Sequence, residues 1–367
     1  MLPYLADRPL VMTRYPDGID GKSFYQKDAP SWAPEWLRTA TVWSEGSERE
    51  LDYFVCDSVE ALLWVANSAS IPMHVWHSRV SSLEKPDWCV IDLDPKEAGF
   101  EDVIAVARLL HELCDDIGLD HFVKTSGSSG IHVLVPLHRR FTHEQSRMFG
   151  HLISQVVVAE APEISTLQRV IGKREGKVYL DYLQNGHGKL IVAPFSVRPK
   201  EGAPVSMPLY WDEVKPGLKI LDFTIANAVD IMRERGEDPM IGVMDAEPDL
   251  VGALEKLASE AGCDRTYRVN GPDEVPGDLT GLVGVTAGAS APEELVDAVI
   301  ARLAPADGVE EVVVTEEDEY FPPPRSLRDL LAGVDAMATF AFGGSVPDRP
   351  KPDDRRLHAS DALALLA

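Results

Sequence analysis

Cys89-Val90-Ile91-Asp92-Leu93-Asp94-Pro95 places two carboxylates two residues apart at the end of an apolar run. In a β-strand, residues i and i+2 point to the same face. Asp92 and Asp94 therefore converge, and like charges that close repel. A divalent cation between them relieves the repulsion. Alone, the stretch reads as readily as a solvated strand end entering a turn, since Asp and Pro favour turns. Val90 and Ile91 favour a buried strand, and companion pieces recur downstream.

The first companion is Thr125-Ser126-Gly127-Ser128-Ser129-Gly130-Ile131-His132. Small residues let backbone N–H groups approach an anion, and the hydroxyls add donors. His132 begins the return strand and could reach a phosphate. Such a loop by itself is more often an ordinary hairpin turn. The second companion runs from Arg174 to Asn185. Lys177, Tyr179 and Asp181 alternate onto one strand face, so Asp181 can join Asp92 and Asp94 as a third carboxylate. It could equally be an exposed strand charge paired with a base. Two ions about 3.5–4 Å apart on such carboxylates stabilise both the attacking and the leaving oxygen in phosphoryl transfer. Arg174, Lys189 and Arg198 flank this region and suit a triphosphate, although each alone reads as a surface charge. His74 and Trp76 share a strand face, either lining a nucleotide pocket or packing as a Trp with a satisfied His.

The surrounding pattern predicts an α/β or α+β domain with a mixed sheet. Strands are expected at 51–56 and 73–76, and a helix at 101–118 ends at Gly118. A hairpin joins 121–124 to 131–135, and a helix covers 144–159. A second hairpin joins 177–183 to 190–192, with Asn185-Gly186 near its turn. A helix at 225–236 closes the domain. The composition shifts near residue 238. A small αβαβ module follows, with helices at 250–261 and 292–303 and strands at 282–286 and 311–315. The Pro-rich end reads as disordered. The boundaries are 1–245, 246–331 and 332–367.

The 367 residues are 45% hydrophobic, enough for one large domain and a smaller one. No apolar run approaches the roughly 20 residues of a membrane helix. The first residues lack the basic and apolar regions of a signal peptide. Four scattered cysteines without a CxxC pair exclude a zinc ribbon and a disulfide framework, and fit a reducing cytoplasm. The formal charge is −25, of which residues 246–367 carry −14. That balance argues against broad electrostatic binding to nucleic acid. A focused basic patch remains compatible with it.

The ordered set Arg14 to Lys27, His74-Val75-Trp76, Asp92-Leu93-Asp94-Pro95, Ser126-Gly127-Ser128 through His132, Gly176-Lys177 to Asp181 with Gln184-Asn185, and Ala193 to Arg198 resembles the polymerase domain of bacterial DNA ligase D. That domain belongs to the archaeo-eukaryotic primase superfamily. The resemblance covers residues 1–245 and implies a primase-polymerase fold of the α+β class, with mixed and antiparallel sheets and flanking helices. It implies that Asp92, Asp94 and Asp181 bind two Mg²⁺ or Mn²⁺ ions. His74, Ser128, His132, Arg174, Gln184, Lys189 and Arg198 would meet the incoming NTP or dNTP. Phe24, Tyr25 and Arg14 would meet DNA, since aromatic faces suit exposed bases. The implied activity is nucleotidyl transfer to a primer 3′-hydroxyl in non-homologous end joining. The implied partners are 5′-phosphorylated, gapped or overhanging DNA ends, Ku and a separate ATP-dependent ligase, on the cytoplasmic nucleoid. Members of that family usually carry a helix and basic residues before the position of Arg14, so the late start implies either a misassigned beginning or weaker DNA-end recognition. They often carry Lys where Ser129 stands and a base where Thr13 stands, which predicts weaker nucleotide binding.

Residues 250–331 resemble the last subdomain of 4-hydroxy-3-methylbut-2-enyl diphosphate reductase, through Glu260-Ala261-Gly262-Cys263, Gly281 to Glu293 and Tyr320-Phe321-Pro322. Cys263 matches no cluster ligand of that iron–sulfur enzyme, so the expectation is a fused fragment without reductase activity. The alternative to the polymerase is a non-catalytic DNA-end-binding protein on the same fold.

Overall fold

Strict alternation along Trp88–Asp94 sets the layering of the molecule. The structure is a computed structural model describing residues 1–310, except 45–47, 261–262, 264, 268, 286–291 and 307. Two compact units divide after Ala304, and every element below belongs to the first.

One six-stranded sheet holds β1 (Pro9–Arg14), β2 (Phe24–Gln26), β3 (Thr39–Ser44), β4 (Arg49–Val55), β5 (Ser70–Trp76) and β11 (Leu190–Val192). Its order is β11-β5-β1-β4-β3, with β2 also paired to β1, and every ladder is antiparallel. The other sheet holds β6 (Trp88–Asp94), β7 (Phe122–Thr125), β8 (Ile131–Pro136), β9 (Ser165–Thr166), β10 (Val178–Asp181) and β12 (Pro208–Leu209). Its order is β12-β7-β8-β6-β10-β9, and only β9 and β10 run parallel.

Cys89, Ile91 and Leu93 face one way, with Val133, Val135, Val178 and Leu180 of the neighbouring strands. They pack under α3 (Phe100–Ile117) and α4 (His143–Glu160). Trp88, Val90 and Leu134 face the other way and meet Leu10, Met12, Met73 and Val75 of the first sheet. Each such aliphatic side chain contributes about 1.5–3 kcal/mol by leaving water. Asp92 and Asp94 share the phase of Trp88 and Val90, so they point into the gap between the sheets, where it opens. The remaining helices are α1 (Leu2–Leu5), α2 (Val59–Asn67), α5 (Ala228–Arg235), α6 (Leu250–Glu260) and α7 (Glu293–Leu303).

Local signals work as expected at the helix ends. Gly118 adopts the left-handed conformation that ends α3. Thr142 and Gln145 form a capping box on α4. The 121–124/131–135 hairpin forms as β7 and β8.

Three expectations change. Residues 177–183 and 190–192 are not a hairpin: β10 pairs with β6 in one sheet and β11 with β5 in the other. The Asn185 side chain explains why. It is buried and clips the β6 backbone, donating to Val90 O and accepting from Val90 N, both at 2.7 Å. The expected helix at 225–236 shortens to Ala228–Arg235, because the Asn227 side chain bonds back to Thr224 N and Asp222 O. Residues 282–285 carry no strand: Leu282 is fully exposed and no ladder among the described residues reaches them. Their expected partner, 311–315, and the expected disordered tail lie outside the described residues. The helix α6 packs on α3 through Leu250 and Ala253, and Lys256 Nζ reaches Asp116 O at 3.3 Å.

Candidate active site

Register alone aligns a row of polar side chains across the second sheet. Lys124 on β7 opposes His132 on β8, His132 opposes Asp92 on β6, and Asp92 opposes Asp181 on β10. Tyr179 opposes Asp94 one step along. Direct cross-strand partners lie about 4.5–5.5 Å apart at Cβ, so each member of the row feels the next.

Lys124 is wholly buried, which pushes its ammonium well below the usual lysine value. Its Nζ donates to Ser206 Oγ at 2.7 Å and to His132 Nδ1 at 2.8 Å. The Ser206 hydroxyl in turn donates to the Thr125 carbonyl oxygen at 2.8 Å. Donation to Nδ1 leaves the His132 proton on Nε2, 3.3 Å from Asp92 Oδ1. Burial works against the charge on Asp92, but His132, Lys124 and Arg198 outweigh it and hold the carboxyl below its ordinary range. Asp181 goes the other way. Burial and then the charge of Asp92 raise its pKa, although Gln184, Tyr179 and the Leu183 N–H all donate to it. Asp94 accepts from Arg174 at 2.9 Å.

A cleft of about 220 Å³ opens beside this row. Asp92, Asp94, His132 and Arg198 line it. Ser128, Gln184 and His74 complete the set anticipated from sequence that reaches the cleft wall. His74 is pushed down to about 4 by burial and by the nearby Arg198, Lys124 and His132. Its Nδ1 and the Arg198 Nε are buried without a partner. Two unmatched polar atoms on one cleft wall suit a polar ligand.

The other anticipated residues sit differently. Arg174 stacks on Tyr179 at 4.2 Å and spends its donors on Asp94, Gln168 O and Arg169 O. Lys189 is exposed and outside the cleft lining. Arg14 is committed to Ser68 O and Gln26 Oε1. Phe24 and Tyr25 are 47% and 71% exposed on β2, and Tyr25 lies close enough to Arg198 to act on its charge. In the Ser/Gly loop, the N–H groups of Ser128, Ser129 and Gly130 turn inward to Ser126 Oγ. The loop thus presents hydroxyls to the cleft in place of the expected ring of amides. The three aspartates do not gather within 4.8 Å of one another. Among the described residues that closeness belongs to His111, Asp115 and His121. Lys124 went unnoticed in the sequence, although counting back from the loop places it opposite His132.

The family model "LigD, primase-polymerase domain" matches residues 1–240. The bifunctional non-homologous end joining protein LigD of Bacillus subtilis is 36% identical over 238 residues, 64% of this chain and 38% of that protein. The solved polymerase domain of Mycobacterium tuberculosis ligase D in complex with DNA superposes with a TM-score of 0.62 at 29% identity, covering 67% of this chain and 88% of that one. A 4-hydroxy-3-methylbut-2-enyl diphosphate reductase of Leifsonia xyli is 45% identical over 85 residues, 22% of this chain and 25% of that enzyme. The chain thus spans well under half the length of the LigD proteins it matches. With the two-sheet fold, the carboxylate strand and a match over residues 1–240, this chain belongs to the LigD primase-polymerase domain family.

Proposed function

We propose that the chain is a nucleotidyltransferase that adds nucleotides to DNA 3′ ends during non-homologous end joining. The observation that carries this is the ladder pairing of Asp181, itself outside the cleft lining, with Asp92, which lines the cleft together with Asp94, His132 and Arg198. Paired carboxylates, one of them raised by burial and then by its neighbour's charge, suit hard divalent cations such as Mg²⁺ or Mn²⁺. Asp92 and Asp181 would hold one directly, and Asp94 would join after leaving Arg174. The cations supply charge that favours ionisation of the primer 3′-hydroxyl and departure of pyrophosphate.

The protein's own groups then divide the work. Arg198 and the His132 Nε2–H face the triphosphate, each as a charge-assisted or neutral donor. The Ser128 hydroxyl closes the loop side. Gln184 keeps Asp181 oriented through its 3.0 Å hydrogen bond. His74, neutral at pH 7, offers its free Nδ1 to the sugar hydroxyls of the nucleotide. Phe24 and Tyr25 offer stacking faces to an unpaired base. We place the polymerase domain at residues 1–245, with residues 246–331 as a fused module and 332–367 as a tail. Ku and a separate ligase are the partners this role requires.

The test is extension of a primed duplex bearing a 5′-phosphorylated gap, with NTPs or dNTPs and either Mg²⁺ or Mn²⁺. The wild-type chain extends the primer and the Asp92→Ala chain does not. Equal behaviour of the two ends the catalytic reading. A gel shift on the same DNA without any extension would instead favour an end-binding protein.

A further inference from the structure

Away from the cleft, the last turn of α3 faces the entry to β7. His111 and Asp115 stand one helical turn apart, and the chain reverses at Gly118 to bring His121 back over them. His111 Nδ1 lies 2.7 Å from His121 Nε2. The Asp115 carboxylate lies 3.7 Å from the first nitrogen and 3.9 Å from the second. We propose that His111, Asp115 and His121 form a Zn²⁺ site that fastens the end of α3 to the start of β7.

The chemistry of the donor set carries this. Two imidazole nitrogens and one carboxylate oxygen are ordinary zinc ligands, with a fourth position left to water. Around a tetrahedral zinc with bonds near 2.0–2.1 Å, ligand atoms stand about 3.3 Å apart. The nitrogens stand closer than that at 2.7 Å, Asp115 Oδ2 stands 3.7 Å from His111 and Oδ1 3.9 Å from His121, so a small opening of the two rings and a small advance of the carboxylate admit the ion. His121 is already oriented: its Nδ1 donates to Leu119 O at 2.8 Å, which leaves a lone pair on Nε2. The His121 side chain is 4% exposed, and burial favours its neutral, metal-binding form. Trp211 fixes the other ring. It stacks on His111 at 4.3 Å with planes 1° apart, and its Nε1 donates to His121 O at 3.1 Å. Asp115, 63% exposed, leaves a path from solvent. Asp120 and the carbonyl end of α3 add negative potential. Before the ion enters, a single proton bridges the two rings. Zinc takes the His111 Nδ1 lone pair as that proton moves to Nε2, so no net proton is needed or lost.

The experiment uses the full chain with Asp92→Asn and Asp181→Asn, which removes the cleft carboxylates from the count. The protein is stripped with chelator, and Zn²⁺ is titrated against a chromophoric competitor. One tight equivalent is expected, with a rise in melting temperature that Mg²⁺ at the same concentration does not give. Co²⁺ in the same site should show the intense visible bands of a four-coordinate ion. His111→Gln and Asp115→Asn, both at partly exposed positions, should fold and melt normally without metal. Each should weaken zinc by more than the roughly 10–100-fold that loss of an outer partner costs. Absence of the tight equivalent, or zinc affinity unchanged in either single variant, overturns the site.

Discussion

The two ends of β6 both present carboxylates, and they are treated in opposite ways. Just before the strand, Asp87 is buried and touched by three guanidiniums: Arg8 at 2.5 Å, Arg79 at 3.0 Å and Arg139 at 3.1 Å. Arg8 also lies over the Trp88 ring and donates to the Trp76 and His77 carbonyls, tying the first sheet to the second. At the far end, Asp92 and Asp181 sit side by side, and burial with the like charge of Asp92 leaves Asp181 raised. A carboxylate matched by direct cations serves stability, whereas a pair short of them marks a place where a ligand completes the balance.

Substitution at each end separates the two roles. Asp92→Asn should cut primer extension at least ~1000-fold, about 4 kcal/mol or more in the barrier, while urea melts stay within ~1 kcal/mol of wild type. If stability collapses instead, Asp92 is structural and the contrast fails. Asp87→Ala leaves Arg8 buried and unpaired, so urea melts should show a loss of about 3–5 kcal/mol.

The stable end also carries a pH signature. His77 is buried beside Trp88 with neither ring nitrogen partnered, and burial, then His143 and Arg8, push it down to about 3. An unfolded histidine titrates near 6.5, so between the two values the unfolded chain binds the extra proton. Stability should therefore be full above pH 6.5 and fall as the pH drops towards 3, by an amount on the order of 4 kcal/mol. His77→Phe should flatten that part of the stability curve. An unchanged slope would assign the acid sensitivity elsewhere.

Two smaller effects sharpen the functional end. Lys124→Met removes the donor that fixes the His132 tautomer, so kcat should fall by roughly 10–100-fold with little change in KM. Ser129→Lys adds an exposed cation on the cleft loop and should lower the nucleotide KM by a few-fold, screened by salt.

Much of this contrast was legible in the chain. The apolar run ending in Asp92-Leu93-Asp94 specified strand and face together, because period-2 alternation fixes both. The β7–β8 hairpin followed from its turn residues and the end of α3 from Gly118. What escaped were side chains that bond far from their own position in sequence. Asn185-Gly186 looks like a turn signal, yet the Asn185 amide is spent on Val90, 95 residues away. Lys124 looks like an outward strand residue, and only the opposing sheet makes it buried. Ser126 looks like a phosphate contact, yet its hydroxyl receives the loop's own amides. The His111 and His121 pairing depends on a reversal at Gly118 that spacing alone does not reveal.

The hairpin loop over the cleft has very uneven tolerance to change. A methyl group on Gly130 would stand 2.0 Å from the Leu93 carbonyl oxygen, and one on Gly127 would stand 2.8 Å from Ser206 N in a backbone turned to φ +65°. Neither position can grow without displacing the strand that carries Asp92 and Asp94 or the segment behind the loop. Ser128 and Ser129 are therefore the adjustable pair on the cleft side of this loop, the two glycines being positions that cannot be thickened.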